Sequence, residues 1–172
     1  MSVDYYMAVD PGMATGVAIG RVTEEEPLEV IYVGIIPQGA QGFIDWLEFT
    51  SNGKAITEMD CMKHFPNEYA NIDYHLDVIC ETFQLRGGVI NPNLEPLRIE
   101  GIILDRFQSA IHWQHPSDKM LIGDEFLKEH DLWLTGSQVN HEDGRDANDA
   151  LQHLFAHMAK KRHLPTLHEY WR

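Results

Sequence analysis

The chain has 172 residues, of which 44% are hydrophobic, and its 27 acidic and 13 basic side chains give a formal net charge of −14. That length and apolar content suffice for one domain with its own core, whereas the charge argues against broad nonspecific attraction to nucleic acid. The two cysteines form no CxxC pair, and no apolar window reaches the ~18 residues of a spanning helix, so we expect a cytoplasmic protein with no membrane segment.

Three strands joined by short turns are predicted first. Residues 5–10 and 15–22 are apolar runs on either side of a Pro-Gly pair, and residues 28–36 are rich in Val and Ile and stop before Pro37. Strands that follow one another with such short connections pair antiparallel. We therefore expect an antiparallel meander at the start of the chain.

Asp10 ends the first of these strands. Aspartate is depleted in strands, and a charge at the edge of a core is costly unless a cation meets it. Asp-Pro-Gly is also an ordinary turn sequence, so the same residue can act as a turn former. The local sequence leaves both interpretations open.

The next segment contains a helix and then a stretch with no clear pattern. Phe43, Trp46 and Leu47 fall at helical spacing, which predicts a helix that ends by residues 51–53. Residues 54–71 carry mixed charge and show no period. We predict that this stretch is a connection or an insertion with one short helix.

The pattern at Asp10 recurs at Glu81, where the apolar run 78–80 ends in an acid and a loop containing glycines follows. Parallel strands that end together bring their last side chains to one edge of the sheet, where open α/β sheets bind ligands. Asp10 and Glu81 placed in this way can share a cation. A solvated carboxylate at a strand end is the alternative for Glu81 alone.

A helix and a short strand are predicted after this loop. Glu95 and Pro96 suit a first helical turn, and Glu100 is expected to face solvent. Residues 110–114 then form the short strand. The apolar face of the helix is expected to consist of Leu97, Ile99, Ile102, Ile103 and Phe107.

Lys119 stands at the start of another predicted helix, for which Ser117 is the expected N-cap. A lysine in a first helical turn opposes the helix dipole, which costs roughly a few tenths of a kcal/mol unless an anion compensates. The placement of Lys119 therefore indicates a contact with phosphate.

Two further acids stand at the start of the last long predicted helix. Asp146 and Asp149 are three residues apart, so both carboxylates lie on one helix face. Capping and the helix dipole are enough to explain Asp146. Asp149 is harder to explain in this way, because it lies where the helix begins to pack.

Four carboxylates, two at strand ends and two on a helix face, suit hard divalent cations such as Mg²⁺ and Mn²⁺. Two such ions about 3.5 to 4 Å apart can activate a water and stabilise the leaving oxygen of a phosphodiester. The histidines show no zinc-ligand spacing. Each is predicted to be a surface or helix residue, His141 least clearly because it precedes the acid pair: His112, His115, His141, His153, His157 and His163.

These motifs follow one another in a fixed order along nearly the whole chain. A strand ends in Asp10-Pro11-Gly12, another ends in Glu81 before Thr82-Phe83, and a late helix carries Asp146-x-x-Asp149. Arg86, the stretch 114–119 and the tail 162–171 add to the pattern. In this order the sequence resembles the RuvC-like Holliday junction resolvases of the RNase H-like superfamily, above all those of bacteriophages.

The resemblance implies an α/β, RNase H-like fold for a single nuclease domain over residues 1–172, with a five-stranded mixed sheet flanked by helices. It implies an endodeoxyribonuclease, homodimeric, that resolves four-way junctions or other branched DNA with two Mg²⁺ or Mn²⁺ ions per active site. A phage member would act in the cytoplasm of its host. By position, the catalytic metal ligands would be Asp10, Glu81, Asp146 and Asp149, and the DNA contacts would be Arg86, Lys119 and Arg145.

Two other functions stay open. Asp-x-Gly with a later glycine also resembles the phosphate loop of the actin and sugar-kinase group, which would make the chain an ATP-binding or phosphotransfer module. A catalytically inactive, DNA-binding RNase H-like module is the other possibility. The net charge of −14 and the length of residues 54–71 both depart from what the resolvase resemblance implies.

Overall fold

The computed structural model describes residues 3–51, 75–84 and 92–171. In this part of the chain, five strands form one sheet in the order β3-β2-β1-β4-β5. The strands are β1 (Asp4–Asp10), β2 (Thr15–Val22), β3 (Glu29–Ile36), β4 (His75–Glu81) and β5 (Ile111–Gln114). The helices are α1 (Gly39–Ser51), α2 (Glu95–Phe107), α3 (Asp124–Glu129), α4 (Arg145–Lys161) and α5 (Leu164–Tyr170), with a short 3₁₀ turn over Asp118–Leu121.

The sheet is mixed, with an antiparallel half and a parallel half. β1 pairs antiparallel with β2, and β2 pairs antiparallel with β3, as the short turns predict. β4 lies parallel to β1 on its other side, and β5 lies parallel to β4. The predicted fold class, an α/β protein with a five-stranded mixed sheet flanked by helices, is therefore confirmed.

The two faces of the sheet carry separate halves of the core, because successive side chains of a strand point to opposite faces. Tyr6, Ala8 and Ile79 face α4, whose side chains are buried along most of its length. Met7, Val9, Val78 and Cys80 point the other way, toward α1 and α2. Burial on both faces explains why β1 and β4 read as continuous apolar runs rather than as alternating ones.

Gly16 lets the start of α4 lie directly against the sheet beside Asp10. In the β1–β2 ladder Gly16 is the partner of Asp10. A Cβ atom added at Gly16 would lie 1.8 Å from the backbone oxygen of Asp146. Only a residue without a side chain fits this approach, so the glycine after the hairpin fixes how near the helix acids come to the strand acids.

The loop before α4 is tied to the helix by a buried amide. Asn148 accepts a hydrogen bond from Leu134 N at 2.9 Å and donates one to Leu134 O at 2.8 Å. Gly144 directly precedes the helix with a φ of +69°, a conformation that favours glycine. Together these contacts set where α4 begins.

Three local predictions are wrong. Leu97 is 51% exposed rather than part of the buried face of α2. Glu100 does not simply face solvent, because its Oε1 accepts a hydrogen bond from Phe83 N. Ser117 caps no α-helix: only a 3₁₀ turn follows it, and its hydroxyl contacts His115 Nδ1 at 2.7 Å instead.

Two predictions lie outside the described residues, namely the inserted segment at 54–71 and the DNA contact Arg86. Where helices are described, none is long and apolar enough to cross a bilayer.

Candidate metal centre

Asp10 and Glu81 meet at the carboxyl edge of the parallel strand pair. The register pairs Val9 of β1 with Cys80 of β4, so the two acids are the next residues on adjacent strands. Both side chains are partly buried. The edge-of-sheet prediction is confirmed for this pair, because parallel strands that end together present their last side chains to one place.

His153 of α4 completes a group with these acids. One potential ligand atom from each of Asp10, Glu81 and His153 lies within 4.8 Å of the others, and in the described chain this is the group that could hold a metal ion. His153 Nε2 contacts Glu81 Oε2 at 2.6 Å, and the imidazole is fully buried. The prediction of an ordinary helix histidine missed this contact.

A signal for His153 was present in the helix spacing. His153 follows Asp149 by four residues, so the two side chains lie on one helix face, as Asp146 and Asp149 do. The pairing of that face with the end of β4 is a long-range contact that spacing alone does not give.

Lys119 lies among the acids. Its Nζ contacts Asp149 Oδ2 at 2.7 Å and Glu81 Oε2 at 3.2 Å. Burial alone would lower the pKa of Lys119, but the negative charges of Asp10, Asp149 and Glu81 raise it above its usual range. The ammonium group is therefore held as a cation in the middle of the cluster.

Asp146 and Asp149 complete the acidic cluster from the helix side. Asp149 is joined to Glu81 through Lys119, and Asp146 acts on Asp10 through its charge. Neither belongs to the group of atoms within 4.8 Å. Burial, and then the charge of Asp149, raise the pKa of Asp146, while His141 lowers it.

Asp10 reports the crowding of negative charge in the cluster. Burial raises the pKa of Asp10 well above its usual value, the charge of Lys119 lowers it, and the three other acids raise it further. Glu81 shifts in the opposite direction: burial would raise its pKa, but the hydrogen bond with His153 and the charge of Lys119 lower it. The cluster thus holds more negative charge than its own cations balance.

These donors fit a hard divalent cation. Carboxylate oxygens are the ligands that Mg²⁺ and Mn²⁺ prefer, and the raised pKa of Asp10 marks a position where a cation would relieve repulsion. Asp10 and Glu81 can hold such an ion directly, with Asp149 and Asp146 adjacent. The imidazole of His153 is a ligand that softer ions also accept. The other donors of the group are hard oxygens, so the group fits a hard ion better than a softer one.

An open cavity of about 260 Å³ adjoins Glu81. Its lining comes from four separate segments, three of them at or just after the ends of β1, β4 and β5 and one at the start of α2. The backbone of Phe83 in this lining is held by Glu100 of α2. The lining residues are Pro11, Glu81, Thr82, Phe83, Gln84, Pro96 and Pro116.

Of the two arginines predicted to contact DNA, only Arg145 lies in the described chain. It is exposed at the first position of α4, and its backbone N–H donates to Asp143 Oδ1 at 3.0 Å. Its side chain therefore lies on the surface next to Asp146.

The fold and the site define an α/β protein with a mixed five-stranded sheet and an acidic cluster at the ends of its parallel strands. No family model and no curated protein matches the sequence. The similar solved structures include two of RuvC from Thermus thermophilus. The first, "T. thermophilus RuvC in complex with Holliday junction substrate", is 12% identical over 94% of this chain and 97% of that one, with a TM-score of 0.49. The second, "Thermus thermophilus RuvC structure", is 14% identical over 92% and 95%, with a TM-score of 0.46.

Proposed function

We propose that this protein is a metal-dependent endonuclease that hydrolyses phosphodiester bonds in branched DNA, including Holliday junctions. The observation that supports it is the meeting of Asp10 and Glu81 at the strand ends, with Asp149 joined to Glu81 through Lys119. Asp10 and Glu81 end two neighbouring parallel strands, and Asp146 and Asp149 lie in the first turns of α4. A site built only for turn formation or helix capping would not need to bring them together.

In this proposal the four acids hold two Mg²⁺ or Mn²⁺ ions, which supply an activated water and stabilise the charge on the leaving oxygen. The acids are held by strands and by a helix start fixed against Gly16, which suits a reaction that tolerates little misplacement. We also propose that Lys119 contacts a backbone phosphate of a strand that crosses the cluster.

DNA contacts are proposed for Arg145 and Arg86 as well as for Lys119. Arg145 is exposed beside Asp146, where a phosphate next to the reacting bond can reach it. A net charge of −14 opposes general DNA binding, so selectivity for a branched substrate has to come from local contacts and bound cations. The proposed protein is of the phage type, acts in the cytoplasm, and is one domain with an insertion at 54–71.

A homodimer is part of the proposal, with α2 as its interface. Leu94, Leu97 and Leu104 are 46%, 51% and 56% exposed, and their spacing of three and seven residues puts them on one helix face with Gly101. An exposed apolar stripe of this kind suits a second copy of the same helix. Leu97→Glu with Leu104→Glu should give a monomer by analytical ultracentrifugation, and a monomeric unsubstituted chain would contradict the dimer.

Cleavage of branched DNA is the direct test. The unsubstituted protein with Mn²⁺ should cut a four-way junction in preference to linear duplex and single strands. Asp146→Asn should keep the fold and junction binding but lose cleavage. The cleavage rate should fall by more than about 100-fold, the upper end of the loss seen when only a partner of a metal ligand is removed. Cleavage rates and junction affinity are measured on the same preparations, with circular dichroism as the check of the fold.

Asp143→Asn is the matched control, because Asp143 is exposed in the loop three residues earlier and loses the same charge. It should cleave like the unsubstituted protein. Unchanged cleavage by Asp146→Asn would sink the nuclease assignment. Equal cutting of all three substrates would leave a nuclease that does not select branches, and nucleotide binding without cleavage would favour the phosphotransfer alternative.

A further inference from the structure

Two buried polar side chains, His153 and Gln114, lie behind Glu81. His153 is 0% exposed and Gln114 is 4% exposed. They come from α4 and from the end of β5, which lies next to β4 with Gln114 paired to Glu81. Burying such polar groups is costly unless they are hydrogen-bonded, so their contacts should carry a role.

Gln114 fixes the orientation of the imidazole. Gln114 Nε2 donates to the backbone oxygen of His153 at 3.3 Å, which leaves Gln114 Oε1 facing His153 Nδ1 at 2.6 Å. A carbonyl oxygen only accepts, so Nδ1 must donate. The ring is thereby locked with Nε2 pointing at Glu81.

One carboxylate oxygen of Glu81 is held by two side chains. His153 Nε2 lies 2.6 Å from Glu81 Oε2, within hydrogen-bond distance. Lys119 Nζ contacts the same oxygen at 3.2 Å. Side chains from two different elements thus converge on Oε2, which leaves the second carboxylate oxygen of Glu81 able to bind a cation.

We propose that His153, oriented by Gln114, is a positioning residue: it holds one oxygen of Glu81 so that the other is presented to the metal. The inference rests on the proposed metal-dependent function and assigns a role that the four acids do not cover. It differs from direct ligation, in which the imidazole itself would bind the ion. A ligand whose partner is lost typically binds metal about 10–100-fold more weakly.

The first experiment measures metal affinity of the full chain without DNA, by calorimetric titration with Mg²⁺, Mn²⁺ and Ni²⁺, beside junction cleavage. His153→Leu removes both ring nitrogens and should weaken Mg²⁺ and Mn²⁺ binding by about 10–100-fold. His153→Gln keeps an amide donor at the reach of Nε2 and should recover most of that affinity. His157→Gln changes a histidine one turn further along α4 that contacts none of the acids, and it should bind metal normally.

A second variant keeps the test valid if His153→Leu does not fold. Gln114→Met leaves the imidazole in place but removes the acceptor that orients it. It should weaken Mg²⁺ and Mn²⁺ binding in the same direction as His153→Leu and by a smaller factor. Thermal unfolding in the absence of metal shows whether each variant is folded.

The outcomes separate this inference from the proposed function. Normal Mg²⁺ and Mn²⁺ affinity in folded His153→Leu and Gln114→Met, with an active unsubstituted protein, overturns the positioning role alone. Loss of Ni²⁺ affinity without loss of Mg²⁺ affinity in His153→Gln shows a direct imidazole ligand and also overturns it, because imidazole favours the softer ion. An unsubstituted chain that binds no divalent metal overturns both.

Discussion

His153 and His157, one turn apart on α4, have similar neighbours, but only His153 lies in the acidic cluster. His153 contacts Glu81 of β4 and Gln114 of β5. His157 lies beside earlier residues of the same two strands, and the centroid of its ring is 4.6 Å from that of His112 of β5. His112 in turn contacts Asp77 of β4 at 3.0 Å. Each histidine therefore defines one level of the fold, which it shares with an acid of β4 and a polar residue of β5.

The charges around the two levels show that the level of His153 is the candidate metal site and that the level of His157 is a structural cluster. At the level of His153 four acids meet one lysine, and the pKa of Asp10 rises through burial and repulsion. At the level of His157, Nε2 is buried without a hydrogen-bond partner within the described chain. Burial, and then the charges of His112 and Lys161, lower the pKa of His157 to about 4. The excess of negative charge at the strand ends, rather than the presence of histidines and acids, marks the place for a cation.

The largest effect is expected from Gly16→Ala, which separates the helix acids from the strand acids. The new Cβ would overlap the backbone oxygen of Asp146 and force the start of α4 away from the sheet. We expect a loss of about 3 kcal/mol in the free energy of unfolding, at the upper end of overpacking costs. Cleavage should fall about 100-fold, since a shift near 1 Å is enough for that.

Denaturant unfolding and junction cleavage check this prediction. Gly123→Ala is the matched control, because nothing lies within 4 Å of a Cβ at Gly123. The control should stay within about 0.5 kcal/mol, as surface substitutions usually do. A Gly16→Ala protein with normal stability and cleavage would show that the approach of α4 to β2 does not position the acids.

The sequence was sufficient to predict the frame of the site. Asp10 and Glu81 each end an apolar run, and the rule that parallel strand ends meet at one edge predicts their proximity. Asp146 and Asp149 follow from helical spacing. These predictions succeed because each depends on a local pattern together with one general rule of topology.

The contacts that decide the chemistry were not predictable in the same way. The pairing of His153 with Glu81 joins residues 72 positions apart, and that of Lys119 with Asp149 joins residues 30 apart. The helix expected after Ser117 is only a 3₁₀ turn, and the spacing of Lys119 gave no sign that its Nζ would contact Asp149 and Glu81. Spacing along one element does not say which face of a neighbouring element it will meet.

A smaller effect is expected from Lys119→Met, which removes the cation from the acidic cluster. Breaking a largely buried ion pair leaves uncompensated charge, so the metal-free protein should lose about 2 kcal/mol, less than a fully buried pair would cost. Mn²⁺ should then stabilise the variant, measured as the rise in Tm, because the ion replaces the missing positive charge.

Lys128→Met is the control for this substitution. Lys128 forms an exposed pair with Glu125 at 2.8 Å, and loss of such a pair costs about 0.5 kcal/mol or less. Mn²⁺ should raise the Tm of Lys128→Met by no more than it raises the Tm of the unsubstituted protein. If Lys119→Met matches Lys128→Met in both measurements, Lys119 is not part of the charge balance of the cluster.

The smallest expected effect is a pH dependence that comes from His157. Its pKa is about 4 in the folded chain and about 6.5 when unfolded, so below pH 6.5 the unfolded state binds a proton that the folded state does not. This lowers the free energy of unfolding as pH falls from 6.5 to 4, by about 1 kcal/mol at pH 5.5. Asp10 acts with the opposite sign, because its raised pKa lets the folded state bind a proton first. Denaturant unfolding of the unsubstituted protein and of His157→Gln across this pH range isolates the contribution of the histidine. The difference between their free energies of unfolding should shrink as pH falls. A constant difference would mean that His157 is protonated as readily in the folded chain as in the unfolded one.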